Sequence, residues 1–255
     1  MDSVIHRLDP RFKIVITLVF IIMLFTGDSF VCLGIGAVYT SIAVLLSRIK
    51  FKMFVKIIKP LMPFLLITAL LNLLFVSDGD VYFQWKFIKI TSDGINVSVF
   101  MIIRIVLLIM GSSLLTYTTS PITLTDAVER LLSPLKRFKF PVHELAMMMS
   151  IALRFIPTLI EETDKIISAQ KARGAEIDTG SMTNRAKNMV AILIPLFVSA
   201  FRRADELATA MECRCYNGGE GRTRLRQLKS APRDYIALAM TLIFFACVIL
   251  SNIFI

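Results

Sequence analysis

Several long stretches of the chain are almost free of charge, and short polar breaks divide them. Residues 14–47 carry a single formal charge, Asp28, within Gly27-Asp28-Ser29. A turn at that break predicts two apolar helices, 14–26 and 30–47, arranged as a hairpin. Three further runs occupy 60–77, opened by Lys59-Pro60 and closed by Ser77-Asp78-Gly79-Asp80, then 95–118 with Arg104 inside it, then 235–255. Several are shorter than the roughly 20 residues that cross about 30 Å of hydrocarbon, so flanking residues are expected to extend the helices while Lys and Arg stems snorkel. The pattern predicts an all-α, polytopic membrane protein with about five transmembrane helices.

Between 119 and 234 the pattern changes. Thr123-x-x-Asp126 is a helix-start signal, and Leu124, Val128, Leu131, Leu132 and Leu135 follow at the spacing of an amphipathic helix that ends near Ser133-Pro134. Pro141 opens a second helix, 142 to about 173, in which Met147, Ile151, Phe155 and Leu159 recur every four residues and Gly174 is the stop. After the polar loop Asp178-Thr179-Gly180-Ser181, a third helix is predicted from about 184 to 214, ended by Asn217-Gly218-Gly219. The second and third helices are each apolar first and charged later. Only Glu144 and Arg154 are charged between 142 and 160, and nothing is charged between 188 and 201. The apolar halves need other helices or the membrane surface, and the charged halves need water. This gives a membrane domain at 1–118, a domain of long helices at 119–234 and a final transmembrane helix at 235–255.

Composition narrows the class. The set AVILMFWYC makes up 56% of the chain, and the net charge is +10. Such hydrophobicity excludes a disordered chain and argues against a water-soluble enzyme. Three Lys/Arg lie in 1–13 and five in 48–59, whereas 78–94 holds two beside three Asp. The positive-inside rule therefore puts the N-terminus in the cytoplasm, and with five spans the 119–234 segment as well. That segment holds 18 Lys/Arg against 13 Asp/Glu, so it is basic but mixed. The opening run has no small-residue cleavage site and is followed by more spans, so it reads as a retained helix.

Little in the chain supports catalysis. The only histidines are His6 and His143, and the four cysteines show no CxxC, so neither a metal site nor a disulfide is expected. Glu161 and Asp164 share a helix face, but no histidine completes a Glu-x-x-His site, and no Ser/His/Asp or Cys/His set is available. Gly218-Gly219-Glu220-Gly221-Arg222 lacks the Gly-Lys-Ser/Thr ending of a phosphate loop, so the chain is expected to bind no ATP or other cofactor itself. The following Arg222, Arg224, Arg226 and Lys229 have no interleaved aromatics and sit beside a span. Anionic lipid suits them better than nucleic acid. Arg104 is a functional candidate by its place in a span, or else a residue that pairs with another helix or snorkels.

Two helix ends resemble each other. Ala172-Arg173-Gly174 and Cys213-Arg214-Cys215 each set an arginine between small residues, 41 positions apart, and each follows a proline, Pro157 or Pro195, by 16 or 19 residues. They read either as docking points for a partner or as cations complementing the negative ends of their own helices.

Taken together these residues resemble the transmembrane T component of energy-coupling factor (ECF) transporters, which import vitamins and metal ions in prokaryotes. The resemblance runs from His6-Arg7-Leu8-Asp9-Pro10-Arg11-Phe12-Lys13 through Leu153-Arg154-Phe155-Ile156-Pro157 and Ala169-Gln170-x-Ala172-Arg173-Gly174. It continues to Phe201-Arg202-Arg203-Ala204-Asp205-Glu206-Leu207-Ala208 and Ala210-Met211-Glu212-Cys213-Arg214-Cys215-Tyr216. It implies a non-catalytic scaffold in a prokaryotic plasma membrane, which joins two ABC-type ATPase subunits to a small substrate-binding membrane protein, the S component. ATP and magnesium would then be used by the partner ATPases. Arg173 and Arg214 carry over as the residues that dock one on each ATPase. The second motif departs from the commoner Ala-Arg-Gly in having Cys213 and Cys215, so its helix end lacks the glycine. Leu124, Val128 and Leu131, with Met147, Met148 and Met149, are candidates for S-component contact, with ordinary core packing as the alternative. A T component dedicated to one cobalt or nickel system is a close variant; an autonomous secondary transporter and a membrane enzyme are the rivals from other classes.

Overall fold

The structure is a computed structural model that describes residues 3–75, 81–85, 88–138, 140–174, 182–218, 228 and 230–254. The polar loop at 178–181, the acids at 78–80 and the basic residues Arg222, Arg224, Arg226 and Lys229 lie outside the described residues. The helices are α1 (Pro10–Thr26), α2 (Phe30–Ser47), α3 (Phe51–Ile58), α4 (Met62–Phe75), α5 (Ser92–Thr118), α6 (Pro121–Leu131), α7 (Val142–Ala172), α8 (Met182–Glu212) and α9 (Pro232–Phe254). Short 3-10 turns cover Lys59–Leu61 and Ser133–Phe138. One small antiparallel ribbon, β1 (Val81–Trp85) with β2 (Ile88–Thr91), sits in the predicted loop between the third and fourth apolar runs. The fold is all-α, as the apolar runs predict.

The chain forms two compact units, residues 1–127 with 227–255, and 128–226. In the first, α1 packs on α2, α5 and α9, and α5 packs on α1, α2, α3 and α4. The pairings of α1 with α5 fix the register. Lys13 reaches Thr118, Phe20 meets Gly111, and Arg104 reaches Gly27. Each step advances seven residues along one helix and back seven along the other, so the two are antiparallel. With α9 the pairs are Phe12 with Tyr235 and Thr26 with Asn252, so that neighbour runs parallel. The core between them is Phe20, Met23, Leu24, Cys32, Leu33, Leu107 and Val248.

Among the described residues, five helical stretches are long and apolar enough to cross a membrane: α2, α3 with α4, α5, α7 and α9. The sequence reading has α1 in place of α7. At 17 residues α1 is the shorter helix, but it packs against three helices of the first unit. The basic stretch 48–59, read as a loop, is largely helical. In α3, Lys52 and Lys56 lie one turn apart on one side, while Phe54 on another is buried edge-on against Tyr117 at 6.1 Å.

Arg104 also finds its partners. Its NH2 donates to the Gly27 carbonyl at 2.5 Å, its guanidinium lies 4.5 Å from the Phe100 ring centre, and Asp28 is 3.8 Å away. Gly27 is the C-cap of α1, so the charge closes the negative end of that helix.

Candidate functional site

The second unit is organised around α7 and α8. Gln170 donates to the Ala191 carbonyl at 3.3 Å, and eight residues back along α7 Glu162 accepts from Ser199, eight residues on along α8. The constant register makes the two helices antiparallel. Arg203, one turn past Ser199, closes the staple with Nε and NH2 at 3.1 and 2.9 Å from the same Glu162 carboxylate. The Ser199 hydroxyl holds that carboxyl below its ordinary range, and Arg203 adds to this against the opposing effect of burial. His143 Nδ1, in the first turn of α7, meets Glu129 of α6 at 3.2 Å.

Both helices stop in the same way, with an arginine as the last residue before a left-handed turn. Arg173 is the C-cap of α7; its N–H bonds to the Ala169 and Gln170 carbonyls, and the Gly174 N–H to Lys171 at 3.0 Å. Gly174 has φ +85°, with nothing within 4 Å of where a β-carbon would stand, so glycine is favoured there by backbone conformation alone. At the end of α8, Tyr216 N–H bonds to Met211 at 3.1 Å and Cys215 N–H to Glu212 at 2.8 Å, the full 6→1 and 5→2 pattern of a Schellman turn. Cys215 takes the glycine position with φ +53°. The helix ends at Glu212, two residues before the predicted limit near 214, and the left-handed turn at Cys215 comes before the predicted stop at Asn217-Gly218-Gly219. A non-glycine residue in this conformation costs about 1–2 kcal/mol.

Ala172, Arg173 and Gly174 are exposed, as are Cys213, Arg214 and Cys215. The antiparallel pairing puts the two arginines at opposite ends of the helix pair, on the order of 40 Å apart along its axis at 1.5 Å rise per residue. They cannot form one site, and each presents a planar fork beside a closely approachable backbone.

Leu124 and Val128 on α6 are half-buried and Leu131 is exposed; on α7 Met147 is half-buried while Met148 and Met149 are exposed. Ile156, Ile160, Leu193, Ile194, Phe197 and Phe201 extend the exposed apolar surface along the two long helices. Apolar surface on this scale marks a face that meets either another protein or the membrane. Among the described residues no three His, Cys, Asp or Glu side chains converge as a metal site requires. Sequence reasoning missed the Glu162, Ser199 and Arg203 staple, since Ser199 sits in a charge-free run and carries no signal of its own.

The apolar helices define a multi-pass membrane protein, in which two long paired helices each end in an exposed arginine. Residues 1–225 match the family model described as CbiQ, cobalt transport protein. The chain is 51% identical over 251 residues to the energy-coupling factor transporter transmembrane protein EcfT of Ruminiclostridium cellulolyticum, covering 98% of this chain and 94% of that one. It is 51% identical over 253 residues to the EcfT protein of Clostridium kluyveri (99% and 94%), and 47% over 232 residues to that of Bacillus subtilis (91% and 88%). The chain belongs to the family of transmembrane T components of ECF transporters.

Proposed function

We propose that this chain is the coupling scaffold of an ECF importer, joining two ABC-type ATPase subunits to a substrate-binding S component, and that it catalyses nothing itself. Its N-terminus and the α6–α8 unit face the cytoplasm, where positive charge concentrates. The observation that carries this reading is the pair of exposed arginines, each at the left-handed stop of a long helix, held at opposite ends of an antiparallel pair. Each fork makes bidentate, charge-assisted bonds to a carboxylate in one ATPase, and the small neighbours let the helix end sit close. ATP and magnesium act on the ATPases, whose movement reaches the S component through the exposed apolar faces of α6, α7 and α8. Complementing the helix dipole is compatible with this role, because an arginine at a C-cap does both.

The test is a mild-detergent pull-down of the tagged chain from its native membrane. Wild type brings down two ABC-type ATPases and the Arg173→Glu/Arg214→Glu variant loses them; wild type without ATPases sinks the reading. The family description favours a second reading, a T component dedicated to a cobalt system. A single metal-specific membrane protein among the captured partners supports it, and several unrelated small membrane proteins support a shared T component.

A further inference from the structure

The chain crosses between its two units twice, inside α6 between Ala127 and Val128, and between Arg226 and Gln227. The N-terminal stretch from Asp9 to Lys13 grips the root of both crossings. On one side Lys13, which is 5% exposed, donates from Nζ to the Thr118 carbonyl at 2.9 Å, to Thr119 Oγ1 at 3.3 Å and to the His6 carbonyl at 3.3 Å. Three acceptors use its three protons. Thr118 ends α5, and its carbonyl has no donor within that helix, so the lysine closes the negative end of α5. Two residues later α6 begins with Ser120, whose Oγ accepts the Thr123 N–H, and it runs unbroken across the boundary.

On the other side Arg11 NH2 donates to the Leu228 carbonyl at 3.3 Å, and the Asp9 N–H donates to Asp234 Oδ1 at 2.9 Å. The second Asp234 oxygen accepts the Ala231 N–H at 2.6 Å, the reach-back of a capping box at the start of α9. Asp9 holds Arg11 at 2.6 Å, and Phe12 packs edge-on to Tyr235 with ring centres 5.0 Å apart. Asp234 is 1% exposed. Cations that only anchor a helix at lipid headgroups need no such burial, which is costly without full hydrogen bonding. Except within the Asp9–Arg11 pair and between Lys13 and Thr119 Oγ1, each of these hydrogen bonds has a backbone group at one end. They therefore fix where the chain runs.

We propose that residues 9–13 with Asp234 form the fulcrum of the scaffold, holding both roots so that displacement of the α7–α8 unit is delivered to α5 and α9 together. Lys13 and Asp234 are its positioning residues. This rests on the coupling function proposed above.

The test compares the complex purified through wild type, Lys13→Met and Asp234→Asn by hydrogen–deuterium exchange, nucleotide-free and trapped with ATP and orthovanadate. In wild type, trapping changes exchange in 160–173 and 201–214 and also at the bundle ends, 110–118 and 232–240. Lys13→Met should at least halve the change at 110–118, and Asp234→Asn the change at 232–240, while both leave 160–173 and 201–214 as in wild type and keep the ATPases bound. Variants that respond like wild type at both bundle ends, that lose all four responses together, or that no longer assemble would overturn the fulcrum, the last marking it as a folding element. So would a wild-type complex silent at 110–118 and 232–240. A wild type that captures no ATPase overturns the coupling function first, and the fulcrum with it.

Discussion

Phe20 lies against Gly111 so closely that a β-carbon at position 111 would come within 2.3 Å of its ring. The ring is buried and stacked on Tyr39 at 5.4 Å, so it cannot swing aside. Gly111 is the flat middle of a seam whose ends are Lys13 with Thr118 and Arg104 with Gly27. Gly111→Ala is expected to cost about 1–3 kcal/mol, as overpacked core positions do. Thermal unfolding in detergent checks this, and an unchanged midpoint would refute the close approach.

Arg104 and Asp28 form an ion pair of unequal members. The arginine side chain is 12% exposed and the aspartate 78%. Arg104→Met leaves the Gly27 carbonyl without its donor and is expected to cost about 1–3 kcal/mol. Asp28→Asn, at the exposed end of a 3.8 Å contact, is expected to cost less than about 1 kcal/mol. Equal losses from the two substitutions, measured as shifts in unfolding midpoint, would be inconsistent with the carbonyl bond as the main contact.

Cys215 carries backbone strain that glycine would not. Cys215→Gly should stabilise the end of α8 by about 1 kcal/mol, and Gly174→Ala should destabilise the end of α7 by a similar amount, although a β-carbon at 174 would meet nothing within 4 Å. Local hydrogen exchange at 205–213 and 165–173 reads the two effects separately. ATPase capture by Cys215→Gly should match wild type.

The Glu162 staple gives a pH dependence with a definite sign. Because the folded state holds this carboxyl below its ordinary value of 4.5, the stability it adds is present above that value. It disappears as pH falls through the lower folded-state value. Wild type should therefore exceed Glu162→Gln in stability at neutral pH and converge with it under acid, as followed by the unfolding midpoint. A gap that widened on acidification would contradict the assignment.

The helices of the first unit are legible in the sequence because exclusion of charge is a local property, readable over twenty residues. The ends of α7 and α8 are nearly as clear, since arginine between small residues stands out after an amphipathic run. What escaped depends on distance along the chain. Asp234 reads as an ordinary acid at the start of a helix, yet it bonds Asp9, 225 positions away. The partner of Arg104 is a backbone carbonyl, which no side-chain pattern announces. Helix α3 was hidden because lysines at 52 and 56 look like a basic loop until Phe54 is seen turned into the bundle.

The seven-residue register between α1 and α5 also sets two thicknesses in one bundle. At 1.5 Å per residue α1 rises about 26 Å and α5 about 40 Å. Since Gly27 stands level with Arg104, the α1–α2 hairpin turns back well short of the far end of α5. Lipid on the hairpin side meets a hydrophobic belt narrower than the hydrocarbon of an average bilayer, about 30 Å, and must thin to match it, while lipid along α5 need not. A local gradient of membrane thickness around the protein is the expected consequence, which a bilayer of shorter acyl chains would lessen on the hairpin side.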